Sequence, residues 1–470
     1  MFYPDNSGFQ FNYDGNDRLT SVNDALGNVV ELHEYDSQGR AVTSERQDGV
    51  EHYSLSYVND SETDVTDALG HMTRYFFNTT TSRNVVTGVE GLCSCGSGSQ
   101  FQTWTYDNNL NLLSHSNSLN QTTTYTYDAQ GNQHTMTDAA GTTTSTYNQF
   151  GQPLTATDAL GSTTVFTYNA QGNPLSITDP LNKVTSFTSD SSGKLLSTTD
   201  ARGKTTSFAY DAIGSLITQT DALGHATQFA YDQRGRLTSA TNALGHATVF
   251  AYDGVGRISR ITQADGTVIS YEYDLAGRCT GMTDPKGNRT SYDYDGAYRL
   301  KSETDALNQS TFYDYDPMSN LIARTDALLR TTNFDYDDFN RLVKVTYPQA
   351  VVGATRLFAT LTYDAVGNVT QRTDAAGRVM SSAYDDLNRV VSSTDADNKT
   401  TTFEYDVLSR LTALTDARSQ RYRQRRSRQP GRTPGRLPRL SASPWPRGMD
   451  EGTSLYDAAP STKPSTPSQL

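Results

Sequence analysis

Hydrophobic and polar residues alternate along short segments throughout the sequence. In one such segment, Thr227, Phe229 and Tyr231 fall on one side of an extended chain, and Gln228 and Ala230 fall on the other side. A period of two, in residues with high strand propensity, predicts β-strands of about six residues. Thr, Ser, Asn, Asp and Gly occur in every window, so the sequence predicts essentially no helix.

The segments between the predicted strands are turns of one kind, with Asp in the first position and Gly in the fourth. Residues 221–224 and 232–235 are two examples within one stretch. In a type I turn the Asp side chain caps the turn's own backbone, and Gly tolerates the left-handed exit. Such turns commonly connect hairpins. We therefore predict antiparallel hairpins, with positive φ at Gly224, Gly235 and Gly245.

The turns belong to an internal repeat whose marker is the pair Tyr-Asp. A six-residue insertion after Val345 lengthens one repeat, and degenerate copies of the repeat precede residue 100. Each repeat supplies two strands, so consecutive repeats should extend one antiparallel sheet. The pair recurs every 21 residues at Tyr210, Tyr231, Tyr252, Tyr273, Tyr294, Tyr315 and Tyr336, with looser copies at Tyr106, Tyr127, Tyr147, Tyr168, Ser189 (without Tyr), Tyr363, Tyr384 and Tyr405.

The length of this sheet constrains its shape. About 20 repeats of two strands, at about 4.8 Å per strand, make roughly 190 Å of sheet. Sheets twist and long open edges aggregate, so we expect the sheet to coil into a spiral or wide tube. The predicted fold class is all-β: repetitive antiparallel β-hairpins that form a coiled, shell-like spiral sheet. One face should be aromatic and packed, and the other wet or thinly covered.

Composition agrees with a thin wall. Only 35% of residues are hydrophobic and the mean hydropathy is -0.62, which is too little for several thick cores. Aromatic residues make up 10% of the chain, which argues against disorder. The net charge of -13 disfavours a nucleic-acid or anionic-membrane surface. No apolar window is long enough to predict a membrane span.

The sequence divides into three regions. Residues 1–102 hold degenerate repeats and a Cys/Gly-rich loop at 91–99, and residues 103–417 hold the regular array. Residues 418–470 form a basic, Pro-rich tail in which Thr and Asp nearly vanish. We interpret this tail as disordered or frameshifted, with nucleic-acid binding as a less favoured reading of its arginines.

Several recurring strings of residues resemble those of a known family. The strings Tyr-Asp-x-x-Gly-Arg-Leu, Thr-Asp-x-x-Gly and Thr-x-Phe-x-Tyr-Asp, as in residues 231–253 with Asn242 for the second Asp, resemble the YD-repeat or Rhs proteins of bacteria and the teneurins. The likeness covers about residues 10–417. It implies a spiralled β-sheet cocoon that encloses a C-terminal toxin in bacterial members, and carbohydrate binding has also been assigned to such repeats. It further implies an extracellular or cell-surface location. No signal peptide is visible, so export is expected to be non-classical or the chain to be a fragment.

The family also implies a C-terminal plug with paired Asp-Pro motifs that can act as an aspartyl autoprotease. The Asp-Pro pairs here begin at Asp179, Asp284 and Asp316, and each falls in a repeat's turn register. Pro at the second turn position explains them structurally. We therefore expect a fragment without plug and toxin. A self-cleaving toxin precursor remains an alternative.

Several recurring residue types could form sites, but their positions favour structural roles. The repeated Asp residues could form a calcium array, but turn capping explains them better. His71, His225 and His246 share the slot after the turn's fourth residue, which points to architecture rather than catalysis. The Tyr and Phe stripes could stack on sugars, but packing between neighbouring strands is the favoured interpretation.

The cysteines give no framework of disulfides. Cys93 and Cys95 lie in the Cys/Gly-rich loop, which is expected to be flexible, with a soft-metal clip or redox site as alternatives. Cys279 stands alone and is expected to pack in a strand.

These observations predict a non-catalytic structural shell that encloses or displays a toxin or other cargo. No catalytic, cofactor-binding or metal-binding residue is predicted, and no cofactor. The expected partners are the enclosed cargo and a secretion apparatus, with no nucleic acid and no membrane span. A surface adhesin that binds glycans is the alternative from the class of binding modules.

Overall fold

The computed structural model describes residues 8–79, 83–91, 100–351 and 353–423. Within these residues the chain is a single sheet of 39 strands. Each strand pairs antiparallel with the next one along the chain, from the first pair to the last. The helical content of the described residues is one 3-10 turn, Gln47–Gly49. The all-β prediction and the predicted hairpins are confirmed.

The strands of the degenerate region are longer and less uniform than those that follow. They are β1 (Phe9–Tyr13), β2 (Leu19–Asp24), β3 (Val29–Tyr35), β4 (Ala41–Arg46), β5 (Val50–Asn59), β6 (Glu62–Thr66), β7 (Met72–Asn78), β8 (Val85–Gly91) and β9 (Gln100–Tyr106).

The strands of the regular array alternate between about six and five residues. They are β10 (Leu112–Ser116), β11 (Thr122–Tyr127), β12 (Gln133–Asp138), β13 (Gly141–Tyr147), β14 (Pro153–Thr157), β15 (Thr163–Tyr168), β16 (Pro174–Thr178), β17 (Val184–Ser189), β18 (Leu195–Thr199), β19 (Thr205–Tyr210), β20 (Leu216–Thr220), β21 (Ala226–Tyr231), β22 (Leu237–Thr241), β23 (Ala247–Tyr252), β24 (Ile258–Thr262), β25 (Val268–Tyr273), β26 (Cys279–Thr283), β27 (Arg289–Tyr294), β28 (Leu300–Thr304), β29 (Ser310–Tyr315), β30 (Leu321–Thr325), β31 (Thr331–Tyr336), β32 (Leu342–Thr346), β33 (Phe358–Tyr363), β34 (Val369–Thr373), β35 (Val379–Tyr384), β36 (Val390–Thr394), β37 (Thr400–Tyr405), β38 (Leu411–Thr415) and β39 (Arg421–Arg423).

Two kinds of turn alternate along the sheet. The YD turns follow the odd-numbered strands that end in Tyr, and the TD turns follow the even-numbered strands. In the YD turn after β21, Asp232 Oδ1 accepts hydrogen bonds from the amides of Arg234 (2.8 Å) and Arg236 (3.0 Å). Gly235 has a φ of +77°. Gly224 and Gly245, in the neighbouring TD turns, have φ of +84° and +80°, so the predicted turn geometry is confirmed.

The sheet is a single-layer wall. In β21 the side chains of Thr227, Phe229 and Tyr231 are half-buried, and those of Gln228 and Ala230 are exposed, as the alternation predicts. Few hydrophobic side chains of the described residues are fully buried, as expected when no second layer covers the sheet. They are Val22, Val50, Ala297, Ala323, Val345, Ala413 and Leu414.

The wall coils on itself, as predicted. Asp24, at the end of β2, contacts Tyr298, which lies between β27 and β28. Gln121, between β10 and β11, contacts Asp386, between β35 and β36. One winding therefore takes about 25 strands, which at about 4.8 Å per strand is roughly 120 Å around and 40 Å across. The described residues make about one and a half windings.

The end of the sheet differs from the sequence expectation. The sheet does not end at residue 417, because β39 (Arg421–Arg423) pairs with β38. The basic tail therefore contributes one short strand, and its remainder lies outside the described residues. The insertion after Val345 lengthens one TD turn, where Arg356 donates to the carbonyls of Tyr347 (2.8 Å) and Thr331 (2.6 Å).

Candidate functional site: the seam between windings

The seam is the line along which the second winding meets the first. On the first winding it consists of TD turns and the residues beside them, and on the second winding of YD turns. Its contacts join residues far apart in the sequence. They are Asp24 with Tyr298, Gln47 with Gly296, Glu51 with Pro317 and Ser319, His71 with Asp338, Gly91 with Phe339, and Gln121 with Asp386.

Asp24 and Tyr298 form the most buried contact of the seam. The Tyr298 hydroxyl donates to Asp24 Oδ2 at 2.6 Å, and Asp24 is only 2% exposed. Asp24 also accepts hydrogen bonds from the amides of Leu26 (2.8 Å) and Asn28 (2.9 Å) and from the Asn28 side chain (2.9 Å). Burial opposes ionisation of Asp24, but these hydrogen bonds together hold its pKa below the ordinary value. Burial, and then the bond to Asp24, raises the pKa of Tyr298.

Tyr298 occupies the turn position at which most repeats have Gly. Its φ is +68°, which is an outlier for a bulky residue. Ala297, just before it, is 3% exposed. The Arg278 guanidinium lies 4.8 Å from the centre of the Tyr298 ring. The unfavourable backbone conformation at Tyr298 is thus maintained by contacts with the other winding and with a neighbouring repeat.

A second seam contact joins Glu51 to the turn at Asp316. The Glu51 amide donates to the Pro317 carbonyl at 2.7 Å, and Ser319 Oγ donates to Glu51 Oε1 at 2.9 Å. Glu51 itself has a φ of +50°. Pro317 is the second residue of its turn, as predicted, and the same holds for the pairs that begin at Asp179 and Asp284. Sequence reasoning missed the seam bond of the Pro317 carbonyl.

The three histidines that share a slot have structural partners, as predicted. His71 Nδ1 lies 3.1 Å from Asp67 Oδ2, and His225 Nδ1 lies 3.0 Å from Asp221 Oδ2. The amide of His246 donates to Oδ1 of the turn residue Asn242 at 3.0 Å. His71 alone of the three also reaches the seam, with Nε2 3.5 Å from Asp338 Oδ1.

The Tyr-Asp pair and the Arg that follows form a clasp between repeats. The Tyr252 hydroxyl donates to the carbonyl of Leu237, one repeat earlier, at 2.7 Å. Arg236 Nε donates to Asp232 Oδ2 at 2.7 Å, and the Arg236 guanidinium lies 4.6 Å from the centre of the Tyr252 ring. Sequence reasoning missed this clasp. Its signal was the recurrence of Arg four residues after the turn Asp.

The aromatic stripe packs within the wall. Phe229 stands opposite Ala240 on the neighbouring strand, and the Trp104 ring stacks on the His115 ring of the neighbouring strand with 5.0 Å between the ring centres. These contacts support the packing role. Binding of sugars by the stripe stays the alternative interpretation.

In most turns the first position is occupied by an Asp carboxylate that caps the turn backbone, so the predicted capping role is confirmed. Among the residues that the structure describes, no group of three or more His, Cys, Asp or Glu side chains is placed to hold a metal ion. Cys279 is a half-buried free thiol at the start of β26, in the position that Leu occupies in other repeats. Cys93 and Cys95 lie outside the described residues.

Two clefts open at the seam, with volumes of about 620 and 390 Å³. Residues from both windings line each of them, and acidic side chains dominate the polar part. The larger cleft is lined by Asp48, His52, Asp67, Arg299, Tyr315 and Asp316 among others.

The repeats of this chain match models of known protein families. A sequence model described as the teneurin YD-shell matches residues 82–231 and 223–354, which together exceed half of the chain. A model of the RHS repeat matches residues 13–49 and 384–421. The chain belongs to the YD-shell family of RHS-repeat proteins. The resemblance found in the sequence is confirmed.

The YD-shell fold is also shared with solved toxin structures. Matches include the crystal structure of TcdB2-TccC3-TEV (TM-score 0.70, 16% identity) and the Tc holotoxin pore of Photorhabdus luminescens (TM-score 0.67, 16% identity). Each match covers 87% of this chain, but only 26% and 27% of the other chain. The chain thus spans about a quarter of the length of these structures. No curated protein sequence matches significantly.

No helix of the described residues has the length and apolar character needed to cross a membrane. The fold and the family are those of a structural shell.

Proposed function

We propose that this YD-shell protein is a non-catalytic wall segment of a hollow particle that encloses a cargo. The observation that supports this most is the seam, because it joins successive windings of a one-layer sheet and so surrounds a lumen. The toxin context of the structural neighbours makes a protein toxin the favoured cargo, with a secretion apparatus as a further partner. Extracellular or cell-surface location is part of the same proposal.

The dimensions limit the cargo. A winding roughly 40 Å across, with a wall about 10 Å thick, leaves a lumen of roughly 30 Å. A folded domain of 100 residues has a radius of gyration of about 13 Å, which corresponds to a sphere about 34 Å wide. A lumen of this width would admit an unfolded polypeptide or a very small domain.

A protease-protection experiment tests enclosure. A reporter peptide with one specific protease site is fused to either end of the full chain, and its cleavage rate is compared with that of the free peptide. We expect protection at one end, and loss of that protection when Tyr298→Phe weakens the seam. Equal cleavage of both fusions and the free peptide would contradict enclosure, while solution scattering would still report whether the wall is hollow.

A further inference from the structure

His71 lies on the seam with a carboxylate facing each of its two ring nitrogens. Nδ1 is 3.1 Å from Oδ2 of Asp67, in its own TD turn, and Nε2 is 3.5 Å from Oδ1 of Asp338, in a YD turn of the second winding. Ionised carboxylates only accept hydrogen bonds, and a neutral imidazole has one donor nitrogen and one acceptor nitrogen. Neutral His71 can therefore donate to Asp67 or to Asp338, whereas the charged imidazolium donates to both.

The two carboxylates are positioned by contacts that do not involve the imidazole ring. Asp67 Oδ1 accepts the backbone amide of His71 at 2.9 Å, which holds Oδ2 towards the ring. On the second winding, Phe339 follows Asp338, and its ring fills the space beside Gly91, where a Cβ would lie 2.9 Å from the ring. The turn that carries Asp338 is thus packed against the first winding whatever the charge of the histidine.

A second crossing of the same kind is built from neutral donors. Gln121 occupies the slot of His71 in its own TD turn, and its Nε2 donates to Oδ1 of Asp386 at 3.4 Å. Asp386 is the second residue of its YD turn, as is the seam partner of His71. The first residue of the Gln121 turn is Asn117, whose side-chain amide donates to Gln121 Oε1 at 2.6 Å. Both ends of Gln121 are therefore satisfied without a proton from solvent, whereas Asp67 leaves the other crossing in need of one.

The second winding surrounds His71 mainly with negative charge. The cations beside these carboxylates have partners, since Arg341 pairs with Asp337 at 2.7 Å and Lys344 with Asp335 at 3.4 Å. Tyr336 is neutral near pH 7, because burial raises its pKa to about 12. The titratable groups that line the smaller cleft together with His71 are Asp316, Asp335, Tyr336 and Asp337.

Asp67 also borders the larger cleft, where the positive groups pair within their own windings. His52 Nδ1 lies 2.7 Å from Glu45 Oε2 on the first winding, and Arg299 pairs with Asp295 at 2.6 Å on the second. Asp48 and Tyr53 also lie near Asp67. Within the part of the chain that the structure describes, His71 is the histidine whose ring contacts carboxylates of both windings.

We propose that His71, Asp67 and Asp338 form a protonation-dependent latch, closed while the imidazole is charged and released when it is neutral. Imidazoles change charge between about pH 5 and 8, so the latch opens as the pH rises through this range. Below about pH 4 the carboxylates lose their charge, which also releases it. This inference depends on the seam alone and goes beyond the enclosure of a cargo.

The latch acts locally, on the smaller cleft of about 390 Å³ that His71 lines. The Asp24–Tyr298 pair is intact over the same range, because the pKa of Asp24 is lowered and that of Tyr298 is raised. The seam as a whole therefore stays closed, while the turns that carry His71 and Asp338 separate and the cleft between them widens.

Hydrogen exchange of the full chain at about pH 5.5 and about pH 8 tests the latch, after correction for the intrinsic pH dependence of amide exchange. We expect the amides of His71 and Phe339, one in each turn, to lose protection roughly fivefold at the higher pH. The amide of Leu26, beside the Asp24–Tyr298 pair, should keep its protection.

The decisive variant transplants the Gln121 crossing, by combining Asp67→Asn with His71→Gln. Its seam amides should be equally protected at both pH values, because neutral groups then make both hydrogen bonds. The matched control is His225→Gln, which changes the same slot outside the seam. The His225 side chain is 62% exposed, against 24% for His71, and this variant should respond to pH as the wild type does.

No loss of protection in the wild type, or an equal loss in the double variant, would overturn the latch. The double variant copies a turn that this chain already contains, so it should fold. If circular dichroism shows that it does not, Asp338→Asn replaces it. There the new side-chain amide donates to Nε2 of the neutral imidazole, so protection should not fall as the pH rises, and a fall equal to that of the wild type would contradict the proposal.

Discussion

The hydroxyl of Tyr298 donates a hydrogen bond of 2.6 Å to the carboxylate of Asp24, although 274 residues separate the two in the sequence. Asp24 is nearly inaccessible to solvent, and Tyr298 holds a left-handed backbone conformation that bulky residues avoid. The pair therefore links the two windings at a point where local preferences alone would not place these residues. This contact holds two successive windings of the sheet against each other.

Removal of this hydroxyl should weaken the seam without harming the hairpins. In Tyr298→Phe, Asp24 loses one of its hydrogen-bond donors while it stays buried, which costs on the order of 1–3 kcal/mol. We expect the amides of Leu26 and Asn28 to exchange with solvent faster, as measured by hydrogen exchange. The exposed Tyr13→Phe is the matched control and should change neither amide. Unchanged exchange in Tyr298→Phe would show that the pair does not hold the seam.

The same pair predicts how the seam responds to pH. The pKa of Asp24 is lowered in the folded chain, so its contribution is present above the ordinary Asp value and is lost as pH falls through the folded value. The pKa of Tyr298 is raised, so its contribution is complete below the ordinary Tyr value and is lost as pH rises towards the folded value.

We therefore expect the seam to weaken progressively as the pH falls below about 4 and as it rises above about 10, and to be stable between these values. Solution scattering across this pH range reports the width of the particle and so measures how far the seam opens. In Asp24→Asn the acid transition should move, because the group that titrates is gone. An acid transition at the same pH in that variant would assign the effect to other carboxylates.

The fold was predictable because its signals are local and repeated. Alternation in Thr227 to Tyr231 predicted a strand, and the Asp and Gly of the next turn predicted a hairpin. The clasp was also within reach, since Arg236 recurs at a fixed distance from the turn Asp. The length of the sheet predicted that it coils, but not how many strands make one winding.

The seam could not be located from one repeat, because its partners lie about a full winding apart and each repeat contributes only a few contacts. Two signals were present in the sequence. One is Tyr298 in a slot that usually holds Gly, and the other is the change from polar to apolar third residues in the YD turns after Arg234. Both signals can be assigned to the seam only when the number of strands per winding is known.

The turn glycines should tolerate Asn but not β-branched residues. Gly235 has a φ of +77° and open space around a would-be Cβ, so the cost of Gly235→Val is purely backbone, about 1–2 kcal/mol. Gly235→Asn should cost little, because Asn308 and Asn388 adopt φ near +60° in equivalent slots. Urea unfolding followed by circular dichroism compares these with Ser239→Val, a strand position. Equal midpoints for Gly235→Val and Ser239→Val would contradict the turn assignment.

The clasp arginines should contribute more than arginines of the TD turns. Arg257 Nε donates to Asp253 Oδ2 (2.6 Å), its Nη1 donates to the Asp274 carbonyl (3.1 Å), and its guanidinium lies 4.6 Å from the Tyr273 ring centre. We expect Arg257→Met to cost about 1–2 kcal/mol. The control Arg330→Met removes an exposed pair with Asp326 and should cost less than about 1 kcal/mol. Urea midpoints of the two variants measure the difference, and a larger loss for Arg330→Met would refute the clasp.

Limited trypsin digestion tests where the folded array ends. The sequence alone placed that end at residue 417, but β39 (Arg421–Arg423) is paired with β38, and Arg421 forms an ion pair with Glu404. Backbone pairing protects a bond from protease, so the first stable product should end at Arg423 or at an arginine shortly after it. The arginines that follow in the basic tail are predicted to be cut before Arg236 and Arg257, whose guanidinium groups are held in clasps. Mass spectrometry of the products over time gives the order of cleavage. Early cuts at Arg236 or Arg257, with the tail intact, would mean that the tail folds and that the array is the weaker part.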